Sequence, residues 1–151
     1  MTNGTIVFRE ATGTDLPGIS HVRTSVVENA LTVAQLEERG ITNESVAASF
    51  LTDSKGWVAV QGEEIVAFSI ADRATQSIFA LFVLPAYEGR RIGSVLLDSA
   101  LRWLWDNGAE RVWLTTGPGT KAVRFYEKRG WTCTGQGPRG DLRYERGRPS
   151  P

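Results

Sequence analysis

One segment, Ser77–Leu97, reading SIFALFVLPAYEGRRIGSVLL, constrains this chain most. Ser77 to Leu84 is an almost wholly apolar run. Pro85 ends it, because proline cannot donate to a sheet ladder. A loop with Gly89 and the adjacent Arg90 and Arg91 follows. From Arg91 to Asn107, Ile92, Val95, Leu96, Ala100, Trp103 and Leu104 recur at helical spacing, and Asn107-Gly108 supplies a stop. A second apolar run, Arg111–Thr116, comes next. Strand, helix and strand in this order predict a parallel pair joined by a helical crossover. A strand as apolar as Ser77–Leu84 is expected to be covered on both faces.

The rest of the chain fits around this unit. Thr5–Arg9 reads as a strand. Leu16, Ile19, Val22, Val26 and Val27 give one apolar face to a helix over about 14–27, with Pro17 tolerated in its first turn. Thr32–Gln35 matches a capping box, Gly40 a helix stop, and Asn43 to Leu51 a further helix. Gly56–Gln61 and Glu64–Asp72 are strands joined at Gly62-Glu63. Thr120–Arg129 is a short helix with Ala122, Phe125 and Tyr126 inward and Gly130 as its stop. Trp131–Gly135 and Leu142–Arg146 close the fold. The predicted order is β-α-α-β-β-β-α-β-α-β-β in a single domain over 1–151, with 147–151 as a disordered tail.

The loop before Arg91 has a chemical reading. GxxxxGK[ST] and GxGxxG, two familiar phosphate loops, are both missing. The physical context is nevertheless theirs. A helix start with free N–H groups carries about half a positive charge and accepts an anion. Gly89 and Gly93 permit close backbone approach, and Arg90 and Arg91 add charge. A phosphate or pyrophosphate suits this site.

Composition limits the alternatives. Lys plus Arg number 17, as do Asp plus Glu, so no net positive field draws nucleic acid, and any anion site is local. Cys133 is the single cysteine, which suits a reducing compartment; it is read as a core residue. No stretch is long enough to span a bilayer, and the first residues show no secretion signal. A soluble, cytoplasmic protein without metal is expected. The five tryptophans sit at apolar positions and are expected in the core or a subunit interface, and the Trp103–Trp105 helix end is a candidate homodimer contact.

LFVLPAYEGRRIGSVLLDSAL together with TKAVRFYEKRGW resembles the GNAT superfamily of acyl-CoA-dependent N-acyltransferases. That family has a [QR]-x-x-G-x-[GA] loop between a strand and a helix, and a Phe-Tyr-Glu-Lys-x-Gly-aromatic run further on. Three positions depart from its pattern: Glu88 stands for Gln or Arg, Arg91 for Gly, and Gly119 for a frequent Asn. The resemblance implies an α/β (α+β) fold: a mixed, mostly antiparallel central sheet with a splayed parallel strand pair and helices on both faces. It implies acetyl-CoA as co-substrate, held by the backbone of Phe82 and Val83 and by Arg90, Arg91, Ile92, Gly93 and Ser94. Glu88 is expected to point away from the anion.

The same resemblance places Tyr126 beside the sulfur, as a donor to the leaving thiolate. Asp72 and Glu28 are the weaker candidates for a base. His21 is read as a surface side chain. Val27 to Thr42, with Asp72 and Arg73 across the cleft, would shape the acceptor side. The leading expectation is an N-acetyltransferase acting on the primary amine of a small or amino-acid-like acceptor. Two alternatives are an enzyme acting on protein N-termini or lysines, with a peptide substrate, and a non-catalytic acyl-CoA sensor.

Overall fold

The computed structural model describes residues 5–25, 38, 40–137 and 140–149. The elements are β1 (Ile6–Glu10), α1 (Leu16–Ser25), α2 (Asn43–Phe50), β2 (Ser54–Gln61), β3 (Glu64–Asp72), β4 (Ser77–Val83), α3 (Ile92–Asp106), β5 (Arg111–Thr116), α4 (Lys121–Glu127), β6 (Thr132–Gln136) and β7 (Leu142–Gly147). Among the described residues the element order is the predicted one. Among the described residues the seven strands form one sheet in the order β1-β2-β3-β4-β5-β7-β6. Every neighbouring pair is antiparallel except β4 and β5. The expected capping box at Thr32–Gln35, and Val26, Val27 and Glu28, lie outside the described residues.

β3 is the strand covered on both faces, not β4. Its alternate residues divide between two layers, as the pleat requires. Phe68 and Ile70 join Leu16, Ile19 and Val22 of α1 and Val46 of α2 in one buried cluster. On the other face Ala67 and Ala71 lie in the clusters that hold Ile92, Leu96, Leu97, Ala100 and Leu104 of α3. Ala67, Ser69 and Ala71 are small, so α3 can approach closely. The Ser69 hydroxyl donates to the Leu96 carbonyl at 3.1 Å, which satisfies a fully buried polar group. Each large aliphatic side chain buried here contributes about 1.5–3 kcal/mol. The expectation of two covered faces for Ser77–Leu84 is corrected: Phe79 is 41% exposed, and Leu81, Phe82 and Val83 are half-buried.

Two local devices fix the first helices. Ahead of α2, the Thr42 hydroxyl accepts from the Ser45 N–H at 3.0 Å while the Thr42 N–H donates to Ser45 Oγ at 2.9 Å. Ahead of α1, Asp15 ends a 3-10 turn, Gly13–Asp15, and is itself buried. Its carboxylate receives both ends of the Arg9 guanidinium at 2.8 Å and the Thr12 N–H at 2.7 Å. This clamp ties the edge strand β1 to the start of α1.

Further expectations need correction. Cys133 is exposed, because it lies on β6, the edge strand beyond β7, where every residue is exposed. Of the five tryptophans Trp131 alone is fully buried. Trp57 and Trp103 meet edge-to-face at 5.9 Å, and Arg143 covers Trp113 at 4.3 Å. Gly147 ends β7, and Arg148 donates to the Trp105 carbonyl at 2.7 Å, so the ordered chain reaches into the stretch expected as a tail.

The Arg9 hydrogen bond, then the Thr12 N–H and the Arg9 charge, hold the Asp15 carboxyl below its ordinary range despite burial. A depressed folded-state pKa gives stability above the unfolded value of about 4 that is lost as pH falls through the folded one. Asp15→Asn should lower stability at pH 7 by about 1–2 kcal/mol, the lower part of the range for charged hydrogen bonds because Arg9 is half-exposed. Denaturant unfolding of the two proteins from pH 7 to pH 2 should show their difference shrinking with acid.

Candidate active site

The site begins where β4 and β5 part. The two strands share a single register pair, Ser77 with Trp113, and the Trp113 N–H reaches the Gln76 carbonyl at 3.2 Å. Beyond that point each strand follows its other neighbour. β5 stays paired with β7 from Arg111 to Thr116. β4 stays paired with β3, but its register skips Phe79: Ala71 faces Ile78, and Ile70 faces Ala80. A bulge of this kind bends a strand and increases its twist. The result is a wedge open toward the C-terminal ends of both strands.

A cleft of about 430 Å3 fills the wedge. Leu81, Phe82 and Val83 form one wall; Ala122, Phe125 and Tyr126 of α4 form the other. Its mouth is made by Glu88, Gly89, Arg91 and the first turn of α3. A 3-10 turn, Pro85–Tyr87, leads into this loop, and the Tyr87 hydroxyl donates to Gln61 Oε1, pinning the loop to β2. No side chain caps the first turn of α3, so its N–H donors are left for an anion.

Phe82, Val83, Arg91, Ile92, Gly93, Ser94 and Tyr126 all line this cleft. Ile92 is buried at 3% exposure, so it presents backbone rather than side chain. A methyl group built on Gly93 would meet the Phe125 ring at 3.5 Å and Val83 at 3.6 Å, ordinary contact distances. Glycine there widens the cleft and is not demanded by a clash. Gly89 has a φ of 79°, so its conformation demands glycine.

Arg90 is not on the cleft; its guanidinium stacks over the Tyr87 ring at 5.1 Å. Asp72 is also elsewhere. Its Oδ1 accepts from the Ala74 N–H at 2.8 Å and the Thr75 N–H at 3.2 Å, bracing the β3–β4 turn. Arg73 is bonded to Asp53 at 3.2 Å and Asn107 at 3.2 Å on the same side of the molecule. Neither is brought together with Tyr126. Glu28 and most of Val27–Thr42 lie outside the described residues. Glu88 does not point away, as expected; it lines the mouth and pairs with Lys121 at 3.2 Å.

Arg91 occupies the N-cap of α3, outside the helix predicted to include it. Its φ of 64° and ψ of 10° are left-handed. A side chain in that region costs about 1–2 kcal/mol, which glycine avoids. The departure from the expected glycine therefore carries a conformational cost. Gly119 has a φ of 72°, a conformation that asparagine also adopts, so the second departure leaves the backbone path intact.

Sequence reasoning missed Lys121 and Arg129. Arg129 stacks on Phe125 at 3.8 Å, donates to the Phe125 carbonyl at 3.0 Å and reaches Ser94 Oγ. It thereby joins α4 to the first turn of α3 and adds a cation beside it. Its spacing four residues after Phe125 on a helical stretch was the available signal. A second groove, about 520 Å3, runs along α4 past Lys121, Arg124, Lys128 and Arg129. Tyr126 is 6% exposed and packed edge-on against Phe125 and Trp131 at 5.3 and 5.6 Å. Burial pushes its phenol above the ordinary tyrosine range.

A sheet with one splayed parallel pair, and an uncapped helix start at the mouth of the wedge, define an acyltransferase-like α/β architecture. The acetyltransferase (GNAT) family model matches residues 27–131, and the chain belongs to this family. A relative from Prochlorococcus marinus, described as an uncharacterized N-acetyltransferase ycf52-like protein, is 34% identical over 84 residues, which is 56% of this chain. The alignment spans only 41% of that relative's length. The fold is shared with the PaiA N-acetyltransferase from Thermoplasma acidophilum, solved with coenzyme A: TM-score 0.81, 16% identity, 95% of this chain and 99% of that one. It is shared also with a GNAT-family acetyltransferase from Staphylococcus aureus Mu50, at TM-score 0.78, 18% identity, and 95% and 99% coverage.

The left-handed Arg91 gives a direct test. Arg91→Gly should be more stable than Arg91→Ala by about 1 kcal/mol, because alanine keeps the Cβ that causes the cost. Thermal unfolding of both variants measures this. Equal midpoints would show that the loop relaxes without strain.

Proposed function

We propose that this chain transfers an acetyl group from acetyl-CoA to the primary amine of a small, amino-acid-like acceptor, by direct attack in a ternary complex. The observation that carries the reading is the single wedge that joins an uncapped helix N-terminus at one end to a buried tyrosine at the other. The pantetheine arm fits the β4 side of the wedge like an added strand, beside Phe82 and Val83. The diphosphate suits the first-turn amides of α3, from Ile92 to Ser94, with Arg91 and Arg129 close by. Arg90 contributes charge to the region from outside the cleft. Lys121 offsets the carboxylate of Glu88 at the mouth. The groove with Arg124 and Lys128 suits the separate 3′-phosphate of the coenzyme.

The acceptor nitrogen forms a bond to the acyl carbon, the carbon–sulfur bond breaks, and the amine gives up a proton. Holding both reactants in the wedge supplies most of the rate gain. A backbone N–H of the splayed strand is the group suited to polarise the thioester oxygen. Tyr126, with its raised pKa, stays a phenol at neutral pH. It stabilises the thiolate as a hydrogen-bond donor rather than by early full proton transfer. Asp72 is engaged in a turn, and Glu88, the carboxylate at the cleft mouth, is paired with Lys121, so neither serves as base and the ammonium proton leaves to solvent.

Tyr126→Phe should cut turnover about 10²–10⁴-fold with the affinity for acetyl-CoA kept. An unchanged rate would remove Tyr126 from the mechanism. Arg124→Glu combined with Lys128→Glu should weaken coenzyme A binding about 10–100-fold and dephospho-coenzyme A binding far less. The reading as a whole is tested by calorimetry with coenzyme A and by thiol release from acetyl-CoA across a panel of amines and peptides. Binding with no thiol release for any member would favour a sensor, and turnover of peptides alone would favour a protein acetyltransferase.

A further inference from the structure

Arg23 is a buried arginine that the catalytic reading leaves unused. It lies on α1 one turn beyond Ile19, and it is 7% exposed. Its guanidinium sits over the face of Phe68, 5.4 Å from the ring centroid. Among the described residues, no carboxylate and no hydrogen-bond acceptor meets it. Other arginines of this chain behave differently: Arg9, Arg73, Arg111 and Arg143 each pair with an Asp or Glu. Burying an ion costs several kcal/mol, and a ring face returns only about 2. Burial lowers the Arg23 pKa to about 10, which still leaves it charged at neutral pH. Among the described residues this buried cation thus meets an aromatic face and no acid.

Its position gives that cation a use. Phe68 packs against Phe82 at 5.6 Å between centroids, and Phe82 lines the wedge. Arg23 is therefore separated from the wedge by one pair of aromatic rings. It lies on the α1 side of the sheet, whereas the anion-accepting start of α3 and the basic groove of α4 lie on the other. A coenzyme gripped from the α3 side presents its acyl group toward the α1 side, where an acceptor would enter. Resting on the acetyltransferase reading, we propose that Arg23 anchors a carboxylate of the acceptor, so that the substrate is an amine that also carries a carboxylate group. A planar guanidinium matches a carboxylate with two parallel hydrogen bonds. A single buried cation is neutralised by a monoanion, whereas a phosphate dianion would leave excess negative charge inside.

The test uses pairs of amines that differ only in this group: amino acids, their amides, and the corresponding decarboxylated amines. The wild-type protein should prefer the carboxylate member by about 10-fold or more in kcat/KM. Arg23→Met should abolish the preference by raising the acceptor KM about 10–100-fold, with the KM for acetyl-CoA unchanged. Its melting temperature should equal or exceed that of the wild type, because the buried charge is gone. Arg23→Lys should retain part of the preference. Added carboxylate acceptor, with coenzyme A present, should raise the melting temperature of the wild type and not of Arg23→Met. Equal or better use of the carboxylate-free partner overturns the inference, as does a preference for a phosphate-bearing amine or an equal loss on both partners in Arg23→Met. Acetyl transfer without carboxylate discrimination overturns the role of Arg23 alone. Absence of both coenzyme binding and thiol release overturns the acetyltransferase reading itself.

Discussion

The structure depends on a divided commitment between two strands. β4 is hydrogen-bonded to β3 and β5 to β7, and the two touch each other only through Ser77 and Trp113. A sheet gains by continuing its ladder, so an opening inside one has to be enforced. Here the bulge at Phe79 bends β4 away while α3 and α4 occupy the space on one side of the gap. The opening supplies what a packed core cannot: main chain at depth with room beside it. The cleft lining on the α3 side of the sheet, from Leu81 to Arg129, is arranged around that gap.

Charge is placed sparingly around it. The chain has no net charge, yet the mouth collects Arg91, Lys121 and Arg129, with Arg124 and Lys128 further along α4. Backbone amides at the start of α3 provide a fixed positive field that needs no side-chain ordering. Arg91 adds a side-chain charge at the cost of a left-handed backbone, where glycine would sit without strain. Glu88 opposes this field, and its pairing with Lys121 limits the repulsion an anion would meet. The balance is a local concentration of positive charge on a protein without net charge.

The opposite face follows a different logic. There the cluster around Phe68 is apolar, and among the described residues the cation against it, Arg23, has an aromatic neighbour and no acid. A stable core would exclude such a group. Under the proposed role of Arg23, its retention would link stability to recognition of an acceptor carboxylate. The two faces of β4 thus differ in character, one bordered by cations and uncapped amides and the other by apolar side chains.

Much was determined by sequence alone. The element order of the described residues, the parallel pair and the glycine-bearing turn between strand and helix were legible because alternation, helical spacing and proline or glycine stops are local signals. The FYEKRGW run marked Tyr126 only through its resemblance to the family. Other features were not local. That β3 rather than β4 is covered twice depends on where α1, α2 and α3 pack. Cys133 is exposed because β6 falls at the edge of the sheet, which strand order decides. Asp72 was drawn into a turn by the Ala74 and Thr75 amides, and Arg129 was brought to Ser94 from 35 residues away. Sequence sets which segments become strands and helices; tertiary structure decides which side chains share a space, because strand divergence and burial arise only when distant segments compete for the same neighbours.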